Sequence, residues 1–245
     1  MRLKLISCEI LYREMCTVLA RSPNQVDVEF LPKGLHDIAS TDMCARLQAM
    51  VDAADPATYQ AVVLGYALCG TGVVGLTARS IPIVIPRGHD CITLFLGSKE
   101  RYLEYFTSHP GAYFKTTGWI ERGAGLQQLK EPSLRDKTGI GYTWEGLVDK
   151  YGEEDAKFLW EQLGNYTRNY GQLTFIQMGV EPDGSFEREA REDAAARGWK
   201  FEKVAGDLGI FQRLLDGKWD DREFLVIPPG KRIEATYDES IIRLE

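Results

Sequence analysis

"AVVLGYALCGTG" (residues 61–72) and, shortly after it, "IPIVIPRGHDC" (81–91) share one design. A run of Val, Ile and Leu stops at a glycine, and a cysteine follows. Such runs lack polar alternation, which suits central parallel strands covered on both faces. The opening "RLKLISC" (2–8) delivers its cysteine in the same way, without the glycine. Three buried strands that each end on a thiol decide the fold class and mark the candidate site together.

Outward from these strands the chain alternates. "VDVEFLP" (26–32) reads as another strand. "TDMCARLQAMVDAA" repeats apolar residues at helical spacing behind a Ser40/Thr41 cap. "GSKERYLEYFTSHPG" reads as a helix capped by Ser98 and stopped at Pro110-Gly111. The rhythm returns with "LTFIQMG", the helix "SFEREAREDAAARGW", the strand "KFEKVAG", the helix "LGIFQRLLDGKW" capped by Asp207, and the strand "EFLVIPPG". The closing "KRIEATYDESIIRLE" is expected to add an edge. Alternation of this kind predicts a single α/β domain over residues 1–245, with a mostly parallel, Rossmann-like sheet and helices on both faces. Residues 113–171 break the pattern. They are rich in Trp, Tyr, Gly and charge, carry a helical segment at "EEDAKFLWEQLGNY", and read as a helical lid or insertion.

In open α/β sheets ligands bind beyond the carboxyl ends of the strands. Cys8, Cys69 and Cys91 should therefore lie on one edge of the sheet, although far apart in sequence. His89 stands two residues before Cys91, a spacing that in extended chain puts both side chains on one side. His36, in "LPKGLHD", follows another predicted strand. Thiolate and imidazole are ligands that zinc prefers, and three cysteines can instead hold an iron–sulfur cluster with one open iron. The expected metal ligands are thus Cys8, Cys69, Cys91, His89 and His36, against the plainer alternative that free cysteines are small buried core residues. Glu9 and Asp90 adjoin proposed ligands and are candidates for a general base or an acceptor behind the ligands. Gly70 and Gly72 belong to a glycine-rich loop that could offer N–H groups to an anion at a helix N-terminus, though the loop matches neither GxGxxG nor the P-loop pattern. Cys16 and Cys44 sit inside helical pattern and read as core; His109 reads as a turn residue. "VIPPGKRI" repeats the strand-then-Pro/Gly design of "VIPRGHDC" without its thiol, a hint of duplication.

The motifs "CEILYRE", "LPKGLHD", "GYALCGTG" and "RGHDCITLFLGSKERY", with the closing "GDLGIFQRLLDGKWDDREFLVIPPGKRI", resemble the family catalogued as domain of unknown function 1638. That resemblance covers most of the chain. It implies an anaerobic bacterial or archaeal source and a setting beside corrinoid-dependent methyltransferases, with a corrinoid protein or a methyltransferase as a partner. Separately, "GHDC" is similar to the His-x-Cys element of zinc-dependent cobamide:thiol methyltransferases, whose barrel this chain is too short and irregular to form.

Composition bounds the rest. A formal net charge of −7 leaves no basic excess for nucleic acid or an anionic membrane. No apolar run approaches the roughly 20 residues of a membrane span. Five cysteines and no export signal at the start point to reduced thiols in the cytoplasm. The expected protein is a Cys/His-ligated metalloenzyme of one-carbon or methyl-transfer chemistry, holding zinc or iron and acting on a small molecule. An iron–sulfur enzyme and a non-catalytic corrinoid or metal accessory protein are the alternatives. A homodimer is the ordinary expectation.

Overall fold

A computed structural model describes residues 1–123, 144–160 and 169–245. The strands predicted from apolar runs are present: β1 (Arg2–Cys8), β2 (Gln25–Leu31), β3 (Ala61–Gly65) and β4 (Ile83–Pro86). They form one sheet in the order β2-β1-β3-β4, all parallel, and a fifth strand β8 (Phe224–Ile227) joins the far edge antiparallel to β4. Every residue of β3 and β4 is buried, as continuous apolar runs require. The half-exposed β2 is the edge.

Helix α1 (Tyr12–Leu19) follows a short 3-10 turn, Glu9–Leu11, directly behind β1. Helix α2 (Ser40–Asp52) leads from the Lys33–Asp37 turn toward β3. The Ser40/Thr41 cap is corrected: the helix is capped by Ala39 without a side-chain bond, and the Ser40 hydroxyl donates to the Gly70 carbonyl at 3.0 Å instead. Ser98 does cap α4 (Lys99–Ser108), accepting from Arg101 N–H at 3.1 Å.

The strands do not share one sheet. β5 (Ala112–Lys115), β6 (Gln172–Gln177) and β7 (Lys200–Ala205) form a second, wholly parallel sheet in that order. Tyr113, expected to open a helical insertion, lies in a strand. The helices Trp144–Tyr151 and Glu153–Leu159 do fall between β5 and β6, while much of the Trp/Tyr/Gly-rich pattern lies outside the described residues. One face of the second sheet packs the helix Ser185–Ala196 through Leu173, Phe175, Ala190 and Ala194. Its other face sends Ile176 and Met178 into the core of the first sheet, so the two sheets share a hydrophobic centre.

The repeat seen in "VIPPGKRI" is not a duplication. β8 runs antiparallel to β4 with Ile83 opposite Ile227, which carries Pro228 to the edge away from the thiols. The chain ends as a hairpin, β9 (Ile233–Ala235) with β10 (Ile242–Leu244). Arg87 staples that hairpin, donating to the carbonyls of Asp221 (2.9 Å), Phe224 (3.0 Å), Ser240 (3.0 Å) and Ile242.

Candidate metal centre

Cys8 is the last residue of β1, Cys69 lies in the loop after β3, and Cys91 is the first residue of helix α3 (Cys91–Leu96), just past β4. The strand order places β1, β3 and β4 side by side, so the three thiols collect at one edge. Backbone bonds sew two of the loops together: Leu68 N–H donates to the Gly88 carbonyl and Cys69 N–H to that of His89, both at 2.9 Å. All five cysteines are free thiols.

Burial dominates the electrostatics of all three thiols. Burial pushes the Cys8 thiol up strongly, with Cys69 adding to the effect. Burial likewise pushes Cys69 up to about 12. Cys91 is raised well above its ordinary value, first by burial, then by Asp90, Cys69 and Cys8. The Trp119 indole N–H, which has no hydrogen-bond partner of regular geometry, lies near enough to Cys91 to favour its thiolate slightly. Among the described residues, no three Cys, His, Asp or Glu side chains are grouped tightly enough to hold a metal ion.

A cavity of about 510 Å³ opens on this edge, with Cys69 and Cys91 in its wall. The first sheet contributes Lys33, His36, Asp37, Gly70 and Asp90; the second contributes Ala112, Tyr113, Phe114 and its neighbours Trp119 and Tyr170. His36, expected as a ligand, lines the same cavity. Its Nε2 is buried without a hydrogen-bond partner, and burial lowers its pKa to about 4, so the imidazole is neutral. Sequence reasoning missed Tyr66. It is 2% exposed, its hydroxyl has no partner, and the thiols of Cys8 and Cys69 are close enough to raise its pKa further. The one signal available was its position directly after an all-apolar strand and ahead of the Gly-Cys loop.

The other expected residues are placed differently. His89 does not face the thiols: it is exposed and borders a separate cavity of about 190 Å³ with Tyr102, Lys99 and Glu239. The rule of alternating sides fails there because Asp90 caps α3, accepting from Ile92 (3.0 Å) and Thr93 (3.2 Å) N–H, and Cys91 is already helical. That capping also engages the carboxylate offered as a base, with the Tyr102 hydroxyl at 3.4 Å; burial raises its pKa. Glu9 is a structural bridge rather than a free base: it accepts from Lys33 N–H at 2.8 Å and lies 3.8 Å from Arg122. The Gly70/Gly72 loop is no anion cradle at a helix N-terminus, because no helix follows it. Leu68, Cys69, Gly72 and Val74 spend their N–H groups on carbonyls, and a Cβ on Gly72 would stand 2.3 Å from the Met43 sulfur. Lys33 is held by Asp37 at 3.0 Å and sits 5.2 Å from the centre of the Trp119 ring.

Three free thiols from three separate elements lie at one sheet edge, with a buried imidazole nitrogen on the wall of the cavity that Cys69 and Cys91 line, but among the described residues they are not grouped tightly enough to hold a metal ion. The fold and the site thus define an α/β protein with a mostly parallel sheet, a second parallel sheet, and a cavity whose wall carries two thiols, with a third buried at the end of β1. The chain belongs to the family described as "Protein of unknown function (DUF1638)", which matches residues 30–215. The match takes in His36, Cys69 and Cys91, and Cys8 lies outside it. No curated protein and no solved structure matches the chain. Among the described residues no helix is long and apolar enough to cross a membrane.

Proposed function

We propose that Cys8, Cys69 and Cys91 hold a metal centre whose free position opens on the 510 Å³ cavity, and that the protein is a metalloenzyme acting on a small molecule there. The observation that supports this is the arrival of three free thiols from three strand ends at one sheet edge, with Cys69 acting on the other two, beside an unpartnered buried imidazole nitrogen. A protein that needed only small core residues would gain nothing from gathering thiols on a cavity wall. Three protein ligands leave one coordination position free, the arrangement of catalytic centres. Three thiolates suit an iron–sulfur cluster with one open iron as well as mononuclear zinc, and the cluster is the reading put to the test. When bound, such a centre supplies a Lewis-acidic iron for a substrate atom. The strand order β2-β1-β3-β4 supports a Rossmann-like reading of the larger sheet, with the site at the point where the order turns, between β1 and β3. An anaerobic one-carbon setting, with a corrinoid protein or methyltransferase as partner, rests on the family resemblance, and a cytoplasmic location on the free thiols.

The test is metal and sulfide analysis with a UV–visible spectrum, on protein purified without oxygen and on a C69A/C91A variant. Iron with sulfide and a broad charge-transfer band, both lost in the variant, is the expected result. About one equivalent of colourless zinc, lost in the variant, would keep the metal centre and replace the cluster by a single ion. Wild-type protein without metal, or a variant that keeps its metal, overturns the proposal.

A further inference from the structure

Glu14 lies on α1 with its side chain wholly buried and neither carboxyl oxygen hydrogen-bonded. A buried carboxyl without a partner is costly to a fold, and an ionised one far more so. Two further carboxylates, Glu181 and Glu121, act on it with the sign of its own charge, while Arg13 opposes them. α1 follows β1 of the first sheet, whereas both carboxylates stand on segments that follow strands of the second. Glu121 ends the short helix α5 (Thr117–Glu121) behind β5, and Glu181 lies in the loop after β6. Each is held where it is. Arg13 donates to Glu121 at 2.6 and 3.0 Å, and Glu181 accepts from Met178 N–H at 2.7 Å and from the Thr117 hydroxyl at 3.5 Å.

Among the described residues, the other charged groups on elements around α1 are engaged elsewhere. Glu9 of the preceding turn is taken up by Lys33 N–H and Arg122, and Glu187 of the helix Ser185–Ala196 by Arg191 and Lys203. On the helix Gly209–Asp216, Arg213 is paired with Glu223 and Asp216 with Lys218. Cys16, on α1 itself, has its pKa raised by burial. The element that meets Glu14 with least support of its own is α5. Five residues form a helix only through their docking, here on Arg13 and on the turn at Ile10, whose carbonyl Gly118 approaches closely. α5 also carries Trp119 of the 510 Å³ cavity wall.

From this juxtaposition we propose that Glu14 is a proton-controlled latch on the cavity: with its proton, α5 and the loop after β6 close on α1, and without it α5 is driven off and takes Trp119 out of the wall. Burial and the two carboxylates raise the docked acid to about 7 from 4.5. Once α5 lifts, water reaches the carboxyl and the ordinary value returns. Opening therefore becomes more favourable as pH rises through the window from about 4.5 to about 7, and levels off above it. The latch goes beyond the metal-centre proposal and does not rest on it.

The experiment is hydrogen exchange read by mass spectrometry on the full chain, wild type beside Glu14→Gln, at about pH 4.5 and about pH 8. Comparing the two proteins at one pH cancels the pH dependence of exchange itself. The reporting amides are those of Ile120 and Arg122, bonded to the carbonyls of Thr116 and Gly118. At pH 8 they should exchange at least about tenfold faster in wild type, because the raised acid allows a change on the order of a hundredfold. At pH 4.5 the two proteins should agree within about threefold, and at both pH values α5 should exchange well before β3 and β4. Equal exchange of α5 in the two proteins at pH 8 overturns the proposal. So does exchange of α5 together with β3, which would mean that the whole fold opens and no latch exists. If Glu14→Gln does not fold, wild type alone decides: its α5 exchange, taken relative to β3, must rise between the two pH values, and a constant ratio overturns the latch.

Discussion

Cys69 donates its backbone N–H to the carbonyl of His89 at 2.9 Å, so the loop bearing one thiol is bonded to the loop that delivers the next. The bond is made from an unusual backbone. Cys69, Gly70 and Thr71 follow one another at φ of 47°, 63° and 75°, and only the middle one is a glycine. Left-handed conformations cost a non-glycine residue roughly 1–2 kcal/mol, more for a β-branched one. The fold accepts that cost where the thiol must turn toward the cavity, which is where strain of this kind concentrates.

Thr71 is exposed and β-branched at that strained position, so its side chain contributes strain without burial. Thr71→Asn should raise stability by about 0.5–1 kcal/mol, because asparagine tolerates the left-handed region and, unlike glycine, adds little freedom to the unfolded chain. Urea denaturation of the two proteins measures it. A lower midpoint for the variant would mean that the Thr71 side chain makes a contact worth more than its strain.

Gly118 lies in helix α5 (Thr117–Glu121), beside the turn that follows Cys8. A Cβ on it would stand 1.7 Å from the carbonyl oxygen of Ile10, a backbone atom that cannot swing aside. Gly118→Ala should therefore cost about 3 kcal/mol or more, in the range of severe overpacking. On the proposed metal centre it should also lower metal content, since the displaced turn directly follows Cys8. Thermal melting and metal analysis of the same sample check both, and a variant that melts with wild type would show that α5 is not docked as described.

These residues show where sequence was sufficient and where it was not. β3 and β4 are legible because every residue in them is buried, so nothing polar interrupts the run. The thiols at their ends follow from strand order alone. β5 is not legible: "AYFK" is four residues long, only Ala112 is fully buried, and its neighbours are the polar groups of a turn. With β5 unseen, β6 and β7 are naturally assigned to the first sheet. His89 was misplaced for a local reason, the capping Asp90 that turns strand spacing into helix spacing at Cys91. Trp119 and Tyr66 are brought to the thiols by tertiary packing, which leaves no mark in residue spacing.

Glu9 offers a sharper test of bridge against base. Its carboxylate ties the Lys33 backbone to the β1 end and lies 3.8 Å from Arg122, whose Nε is buried without a partner. Glu9→Gln keeps an acceptor for Lys33 N–H and loses the charge; Glu9→Ala loses both. The expected order is a loss of about 1 kcal/mol for Gln, from the lost charge, and about 2–3 kcal/mol for Ala, the larger figure reflecting the Lys33 N–H left without its acceptor as well. Equal losses in denaturant titrations would mean that the ion pair, not the backbone bond, is the whole of its role.

Glu14, on α1, is fully buried with neither carboxyl oxygen hydrogen-bonded. Burial raises its pKa from 4.5 to about 7, with Glu181 and Glu121 adding to the rise and Arg13 opposing it. The folded protein therefore keeps this proton over a pH range in which the unfolded chain has lost it. Stability contributed here is full below about pH 4.5, falls as pH rises through the window to about 7, and is constant above. The total is about 3 kcal/mol, from 1.36 kcal/mol per pKa unit. Glu14→Gln cannot ionise, so it should match wild type near the acid end of the window and exceed it at pH 8 by an amount of that order. Urea titrations of both proteins across the window decide it. Parallel stability curves would show that Glu14 is ionised throughout and finds a partner in solution.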